Sequence, residues 1–244
     1  MSHDTKFREC LSYDDVLLVP QYSDIRTRSE VHIGSRLGDA HFAIPIISSP
    51  MDTVTGYTMA SKMQDCGAFG VVHRYCSIEN QTMAIAKLHA KAGPCAAAVG
   101  ITGDYLERIA SLSDAGADII CLDVAHGHHV VMKEAIEKIR HMFEDQFHLM
   151  AGNIATLEGF NDLADWGADS IRCNIGGGSI CSTRIQTGHG LPGLETILEC
   201  ANSDRDAVII ADGGIRNSGD IVKALAAGAD FVMLGSLFAG TVEA

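Results

Sequence analysis

Ala115-Gly116-Ala117-Asp118-Ile119-Ile120-Cys121-Leu122 sets a pattern that recurs along the chain. An amphipathic stretch ends at glycine and a short apolar run follows. The same phrase occurs as Cys66-Gly67-Ala68-Phe69-Gly70-Val71-Val72, as Trp166-Gly167-Ala168-Asp169-Ser170-Ile171-Arg172, and as Ala227-Gly228-Ala229-Asp230-Phe231-Val232-Met233-Leu234. Glycine at that place fits a left-handed helix C-cap, and the apolar run fits a buried strand. The four glycines lie 49, 51 and 61 residues apart, room for two βα units per interval. Working outward, strands are expected near 44–48, 69–73, 96–100, 119–124, 148–152, 170–174, 208–212 and 231–235, with helical patterns between them, as at 105–115 and 130–143. Eight apolar strands alternating with helices predict an α/β protein, a (β/α)8 TIM barrel. The rival, a doubly wound open sheet, calls for a Gly-rich turn after its first strand, and Ser48-Ser49-Pro50-Met51 is not one. The reading is one barrel domain over 1–244, with an N-terminal extension over 1–43 and barrel strands from about 44 to 235.

Composition narrows the function. The 244 residues are 47% hydrophobic and 20% charged, which excludes a disordered chain and leaves ample material for a core. No apolar stretch approaches the ~18 residues of a membrane span, and residues 1–6 lack the apolar centre of a signal peptide. Eighteen basic against 31 acidic residues give a formal charge of −13 with no basic run. No nucleic-acid or membrane partner is expected, and any phosphate must sit in a local pocket. Eight cysteines form no C-x-x-C pair and mostly lie in apolar segments, which reads as reduced, buried thiols in a cytoplasmic protein.

Chemistry is expected on the loops after strand C-termini, and above all on the long connection between the sixth and seventh strands. It begins Asn174-Ile175-Gly176-Gly177-Gly178-Ser179-Ile180-Cys181-Ser182-Thr183-Arg184. Glycine N–H groups can form an anion nest, and nearby positive charge raises a cysteine's thiolate fraction. On spacing alone Cys181 reads equally as a nucleophile or as an incidental residue of a tight turn. Asp212-Gly213-Gly214 after the seventh strand and Gly235-Ser236 after the eighth suit a phosphate monoester, with Asp212 placed to accept from a ribose diol. Asp123 with His126, His128 and His129 follows the fourth strand. A metal site is one reading; the favoured one is that Asp123 orients a polar ligand while the histidines, two of them adjacent, are loop residues. Asn153, Ser49, Met51, Asp52, His73 and Arg74 fall on the same rim, where a methionine such as Met51 more often serves packing than ligand contact.

These motifs, in this order, resemble the IMP dehydrogenase and GMP reductase family over essentially the whole chain. The matching segments are Tyr13-Asp14-Asp15-Val16-Leu17-Leu18-Val19-Pro20, Ser49-Pro50-Met51-Asp52-Thr53-Val54, Leu122-Asp123-Val124-Ala125-His126-Gly127-His128, Ala151-Gly152-Asn153, Gly178-Ser179-Ile180-Cys181-Ser182-Thr183-Arg184, Ala211-Asp212-Gly213-Gly214-Ile215 and Gly235-Ser236-Leu237-Phe238-Ala239-Gly240. The resemblance implies a barrel that binds a purine nucleoside monophosphate and a nicotinamide cofactor, NADPH or NAD. It implies that Cys181 attacks purine C2, that Thr183 assists proton transfer, and that Asp212 holds the ribose hydroxyls. Ser179, Gly214, Gly235 and Ser236 match the phosphate cradle, with Ser49, Met51 and Gly213 beside the substrate. Asp123, Asn153, His73 and Arg74 line the cofactor side. A monovalent cation, K+, on the backbone carbonyls of Gly176, Gly178 and Cys181, and a homotetramer, belong to the same expectation.

Two features favour the reductase. His73 to Ala96 leaves no room for the regulatory CBS domain that dehydrogenases usually carry there, and Thr187-Gly188 stands where dehydrogenases usually show Ala-Gly or Cys-Gly. Segments 48–55 and 211–227 look more like a dehydrogenase. Relatives continue past the position of Ala244 with a last barrel helix and further catalytic segments. A barrel lacking that helix is therefore expected to leave Ile209, Val232 and Leu234 partly uncovered and the chain prone to self-association. A non-catalytic nucleotide-binding subunit is the alternative from another class.

Overall fold

The computed structural model describes residues 8–178, 181 and 183–244. Eight parallel strands close a barrel: β3 (Ile46–Ser48), β4 (Phe69–Val72), β5 (Ala96–Val99), β6 (Ile119–Asp123), β7 (His148–Ile154), β8 (Ser170–Cys173), β9 (Val208–Asp212) and β10 (Phe231–Leu234), the last pairing back onto the first. All eight expected strands are present within a few residues, and closure removes the open-sheet alternative. Helices α1 (Tyr57–Asp65), α2 (Ile78–His89), α3 (Tyr105–Asp114), α4 (Val130–Phe143), α5 (Leu157–Trp166) and α8 (Ser218–Ala226) fill the connections. The long one carries α6 (Thr183–Thr187) and α7 (Gly193–Cys200). Only α2 stands between β4 and β5.

Strand alternation explains the continuous apolar runs, because both faces are buried. Ile47, Phe69, Val71, Ala96, Ala98, Ile119, Cys121, Met150, Ile210, Phe231 and Met233 fill the barrel. Their neighbours, among them Ala97, Ile120, Leu149, Ile171 and Val232, pack outward under the helices. In the N-terminal segment a hairpin, β1 (Ser35–Leu37) with β2 (Ala40–Phe42), plugs the barrel floor. Its Leu37 and Phe42 join the interior cluster, and the Phe42 ring sits 4.6 Å from Phe69 and 5.6 Å from Phe231.

The recurring phrase has two structural reasons. Gly67, Gly116, Gly167 and Gly228 adopt φ of +72°, +92°, +118° and +115°, the left-handed cap that was expected. The aspartate two residues later is a clamp. Asp118, Asp169 and Asp230 each accept the N–H that begins the preceding strand segment (Cys95, Leu149 and Ile209, at 2.8, 2.6 and 2.8 Å), while their own N–H donates to the same residue's carbonyl.

Two expectations need correction. Ile209, Val232 and Leu234 are only 8%, 0% and 3% exposed. The outer apolar layer takes them in, and Phe238, from the turns after β10, packs against that same layer. Among the described residues these three side chains are covered, so the partial exposure expected of them is not found. The cysteines divide more evenly than their apolar neighbours suggested: Cys95, Cys121, Cys173 and Cys200 are buried, Cys10, Cys76 and Cys181 half-buried, and Cys66 exposed beyond the end of α1.

Candidate active site

Parallel strands all end at one rim, so residues distant in sequence converge there. Arg172 lies on β8 with its guanidinium inside the barrel mouth. Its Nη1 donates to Asp123 Oδ1 at 2.6 Å, and its Nε and Nη2 donate to Asp212 Oδ2 at 3.0 and 2.8 Å. Asn153 Nδ2 adds a 2.8 Å bond to the same Asp212 oxygen and a 3.0 Å bond to the Asn174 carbonyl. Arg74 Nε reaches Asp123 Oδ2 at 3.4 Å. Burial alone would pull the Arg172 guanidinium down, but Asp212, Cys121 and Asp123 outweigh it and hold the group well above its ordinary value. The buried cation thus links the two acids that the sequence placed on this rim separately. Arg172 itself was missed; the only signal was a charged residue inside the apolar strand 170–173.

Asn174, also missed, ends the same strand at φ +136°. Its Nδ2 donates to the carbonyls of Asp212 (2.9 Å) and Gly213 (3.3 Å), joining the loops after β8 and β9. Its Oδ1 is buried with no partner among the described residues. Glycine is needed where these loops touch. A Cβ on Gly213 would meet the Gly178 backbone at 3.3 Å, and one on Gly214 the Gly177 carbonyl at 3.1 Å, both at positive φ.

The Cys181 thiol lies 3.3 Å from the Thr183 hydroxyl, and the Cys181 N–H donates to the Gly178 carbonyl at 3.1 Å. Thr183 opens α6. Thr187 closes it, its hydroxyl donating to the Thr183 carbonyl at 2.8 Å and accepting the His189 N–H at 3.2 Å. Across the same rim the Ser49 N–H donates to the Leu234 carbonyl at 3.0 Å, and the Gly235 backbone lies against Met51 and Ser49. Two cavities open here. One of about 570 Å³ is lined by Ser49, Met51, Asp52, Tyr75, Asp123, Arg172 and Asp212. The other, about 630 Å³, lies among Tyr13, Gly176, Gly177, Gly178, Arg184, Gly214 and Arg216.

Not every expected residue converges. The His73 imidazole turns to accept the Tyr75 N–H at 3.2 Å and stacks on the Tyr75 ring. Gly214 lines the larger cavity while Gly235 faces Met51, and Ser236 begins the turn after β10. Ser179 lies outside the described residues. The histidines after β6 take separate partners: His128 Nε2 bonds Asp162 at 2.8 Å and His129 Nδ1 caps α4, accepting from Val131. Burial, then the neighbouring imidazoles, push His126 down. His129 is thus the N-cap of α4, and His126 and His128 lie in the loop before it.

No helix among the described residues is long and apolar enough to cross a membrane. The family model for the IMP dehydrogenase / GMP reductase domain matches residues 10–244. An inosine-5'-monophosphate dehydrogenase of Borreliella burgdorferi is 38% identical, covering 97% of this chain and 71% of the relative. One from Nitrosopumilus maritimus is 31% identical over 98% and 76%. A GMP reductase of Streptococcus equi subsp. equi is 36% identical over 95% and 70%. With a match over nearly all of the chain, and with the cysteine loop and the two acids gathered on one rim of a closed barrel, this chain belongs to the IMP dehydrogenase / GMP reductase family of oxidoreductases.

Proposed function

We propose that the chain is a GMP reductase that converts GMP, NADPH and protons to IMP, NADP+ and ammonium through an adduct on Cys181. The observation carrying the covalent chemistry is the Cys181 thiol 3.3 Å from Thr183 Oγ1, a nucleophile with a proton relay beside it. The direction is supported by Thr187-Gly188, where the threonine hydroxyl braces α6 in a way alanine could not, and by the short connection between β4 and β5.

The residues present suit the ligands. Asp212 Oδ2 is spent on Arg172 and Asn153, while its Oδ1 has no hydrogen bond among the described residues and belongs to a side chain lining the smaller cavity, as a ribose acceptor requires. Gly177, Gly178 and Gly214 offer backbone N–H groups to phosphate, beside Arg216, which is paired with Asp14 on the same cavity wall. Ser179, Gly235, Ser236, Ser49, Met51 and Gly213 complete the proposed substrate contacts. The aromatic face of Tyr75 and the carboxylates of Asp52 and Asp123 offer stacking and amide acceptors to a nicotinamide. Asn153, His73 and Arg74 complete that side.

Purine C2 lies between two ring nitrogens and is electrophilic. Cys181 Sγ bonds to it, and Thr183 passes a proton toward the departing 2-amine, so the C2–N bond breaks and ammonia leaves. When bound, a reduced nicotinamide would supply a hydride, one proton with two electrons, to C2. The C2–S bond then breaks, IMP leaves, and the thiolate is regenerated. K+ would rest on the carbonyls of Gly176, Gly178 and Cys181; Gly178 O already accepts one N–H and keeps a second lone pair. We place the enzyme in the cytoplasm as a homotetramer.

The second reading, IMP dehydrogenase with NAD, is favoured by the segment around Ser48, where Thr55 Oγ1 binds Ser48 Oγ at 3.0 Å and the Ser49 carbonyl at 2.6 Å in the dehydrogenase-like sequence. Nicotinamide absorbance separates the readings. Loss of NADPH absorbance with GMP, matched by ammonia, is the expected result; gain of NADH with IMP and NAD supports the dehydrogenase. Nucleotide binding with neither change supports a non-catalytic subunit.

A further inference from the structure

At the barrel's N-terminal end, on the face away from the candidate active site, three side chains of different donor chemistry meet. His89 ends α2, Cys95 precedes β5, and Asp118 precedes β6. One ligating atom from each lies within 4.8 Å of the others, the only such group of His, Cys, Asp or Glu side chains among the described residues. We propose that His89, Cys95 and Asp118 form a zinc(II) site that joins α2 to the start of the β5–β6 pair.

Each donor is held from a separate element. Cys95 is 1% exposed, its position fixed by its N–H on Asp118 Oδ2 at 2.8 Å. The Cys95 thiol donates to the Gly93 carbonyl at 3.3 Å, and Gln64 Nε2 approaches the same sulfur at 3.7 Å, a donor that would remain beside it once the S–H is replaced by a metal bond; Gln64 Oε1 is buried with no partner among the described residues. The His89 ring lies against Gly116, where a Cβ would come within 2.5 Å of it, so the glycine both caps α3 and makes room for the imidazole. Neither nitrogen of that ring has a hydrogen bond among the described residues.

The equivalent clamp at β7–β8 shows what this one lacks. There Arg140 Nη2 donates to Asp169 at 2.6 Å and supplies the positive charge. No Lys, Arg or His approaches Asp118 within ion-pair distance among the described residues, while an imidazole and a thiol stand just beyond it. Atoms bonded to one tetrahedral zinc lie roughly 3.3–3.8 Å apart, so a modest turn of the exposed His89 side chain closes the set. Nitrogen, sulfur and oxygen together favour zinc(II) over calcium or magnesium, with water in the fourth position. Binding exchanges the Cys95 S–H for an S–Zn bond and releases the proton to solvent; no electrons move.

The test is cobalt(II) titration of the full chain, followed by zinc(II) competition and thermal melting. One cobalt per chain with thiolate charge-transfer absorption, its displacement by zinc, and a higher Tm with zinc are expected. His89→Gln changes an exposed residue and leaves the clamp intact. It should weaken binding roughly tenfold or more and remove the Tm gain. Asp118→Asn, which keeps an acceptor for the Cys95 N–H, should do likewise. Absence of the band in the unaltered chain, or a band that survives both substitutions, overturns the site.

Discussion

Arg172 is a cation with 7% of its side chain exposed, between two carboxylates that are 17% and 11% exposed. Breaking a buried pair by removing one partner costs about 3–5 kcal/mol, because the other charges stay buried and unpaired. Arg172→Met is therefore expected to lower Tm by on the order of 10 °C for a chain of this length. Calorimetry beside the unaltered protein checks this, and an unchanged Tm would mean that the carboxylates are not held by this guanidinium. Cys181→Ala should abolish turnover and leave nucleotide affinity within a few-fold, measured by calorimetric titration; retained turnover would remove the thiol from the mechanism. Cys181 was legible because a cysteine in a Gly-rich polar loop is conspicuous. Arg172 was not, because a charged residue in an apolar strand acquires a meaning only when sheet order brings Asp123 and Asp212, 49 residues before and 40 after it, to the same mouth.

The clamps follow the same logic. The capping glycines could be read from sequence, since positive φ after a helix is a local requirement. The partners of Asp118, Asp169 and Asp230 could not, because each acceptor serves the previous strand, 20 to 23 residues upstream. Asp169→Ala removes both the acceptor for Leu149 N–H and the Arg140 partner. An unsatisfied buried N–H costs about 1–3 kcal/mol, so a Tm loss of several degrees is expected, against no change if water replaces the carboxylate. Next to this clamp sits His148, at the start of β7, with Nε2 2.8 Å from Ser170 Oγ. Burial pushes its imidazole down; Asp169 opposes the shift and Arg140 adds to it. The unfolded imidazole takes a proton near pH 6.5, before the folded one does, so the unfolded state binds more protons below that pH. This contribution to stability is complete above about pH 6.5 and is lost as pH falls below it toward the folded value. Tm measured from pH 7.5 downward should fall less steeply in His148→Asn than in the unaltered chain; equal slopes would refute the assignment.

Across the whole molecule, strand order and count were legible because each βα unit carries its own punctuation, whereas the N-terminal plug was not: residues 35–42 are too short to announce a hairpin. The covered β9 and β10 faces shift attention to the segment before that plug, where Leu17, Val19 and Tyr22 are 85%, 76% and 95% exposed. We propose that the tetramer has its contacts at this exposed apolar segment. The proposed tetramer should therefore dissociate in sedimentation when Leu17 and Tyr22 are both changed to serine, and an unchanged species would place the contacts elsewhere. The cavities, the clamped acids and the cysteine loop matter together only if a thioether to the purine forms. Turnover with GMP and NADPH, quenched with acid and mapped by peptide mass spectrometry, tests that directly. A purine nucleotide attached to the Cys181 peptide is the predicted result, and sustained turnover with that peptide unmodified at every quench time would contradict it.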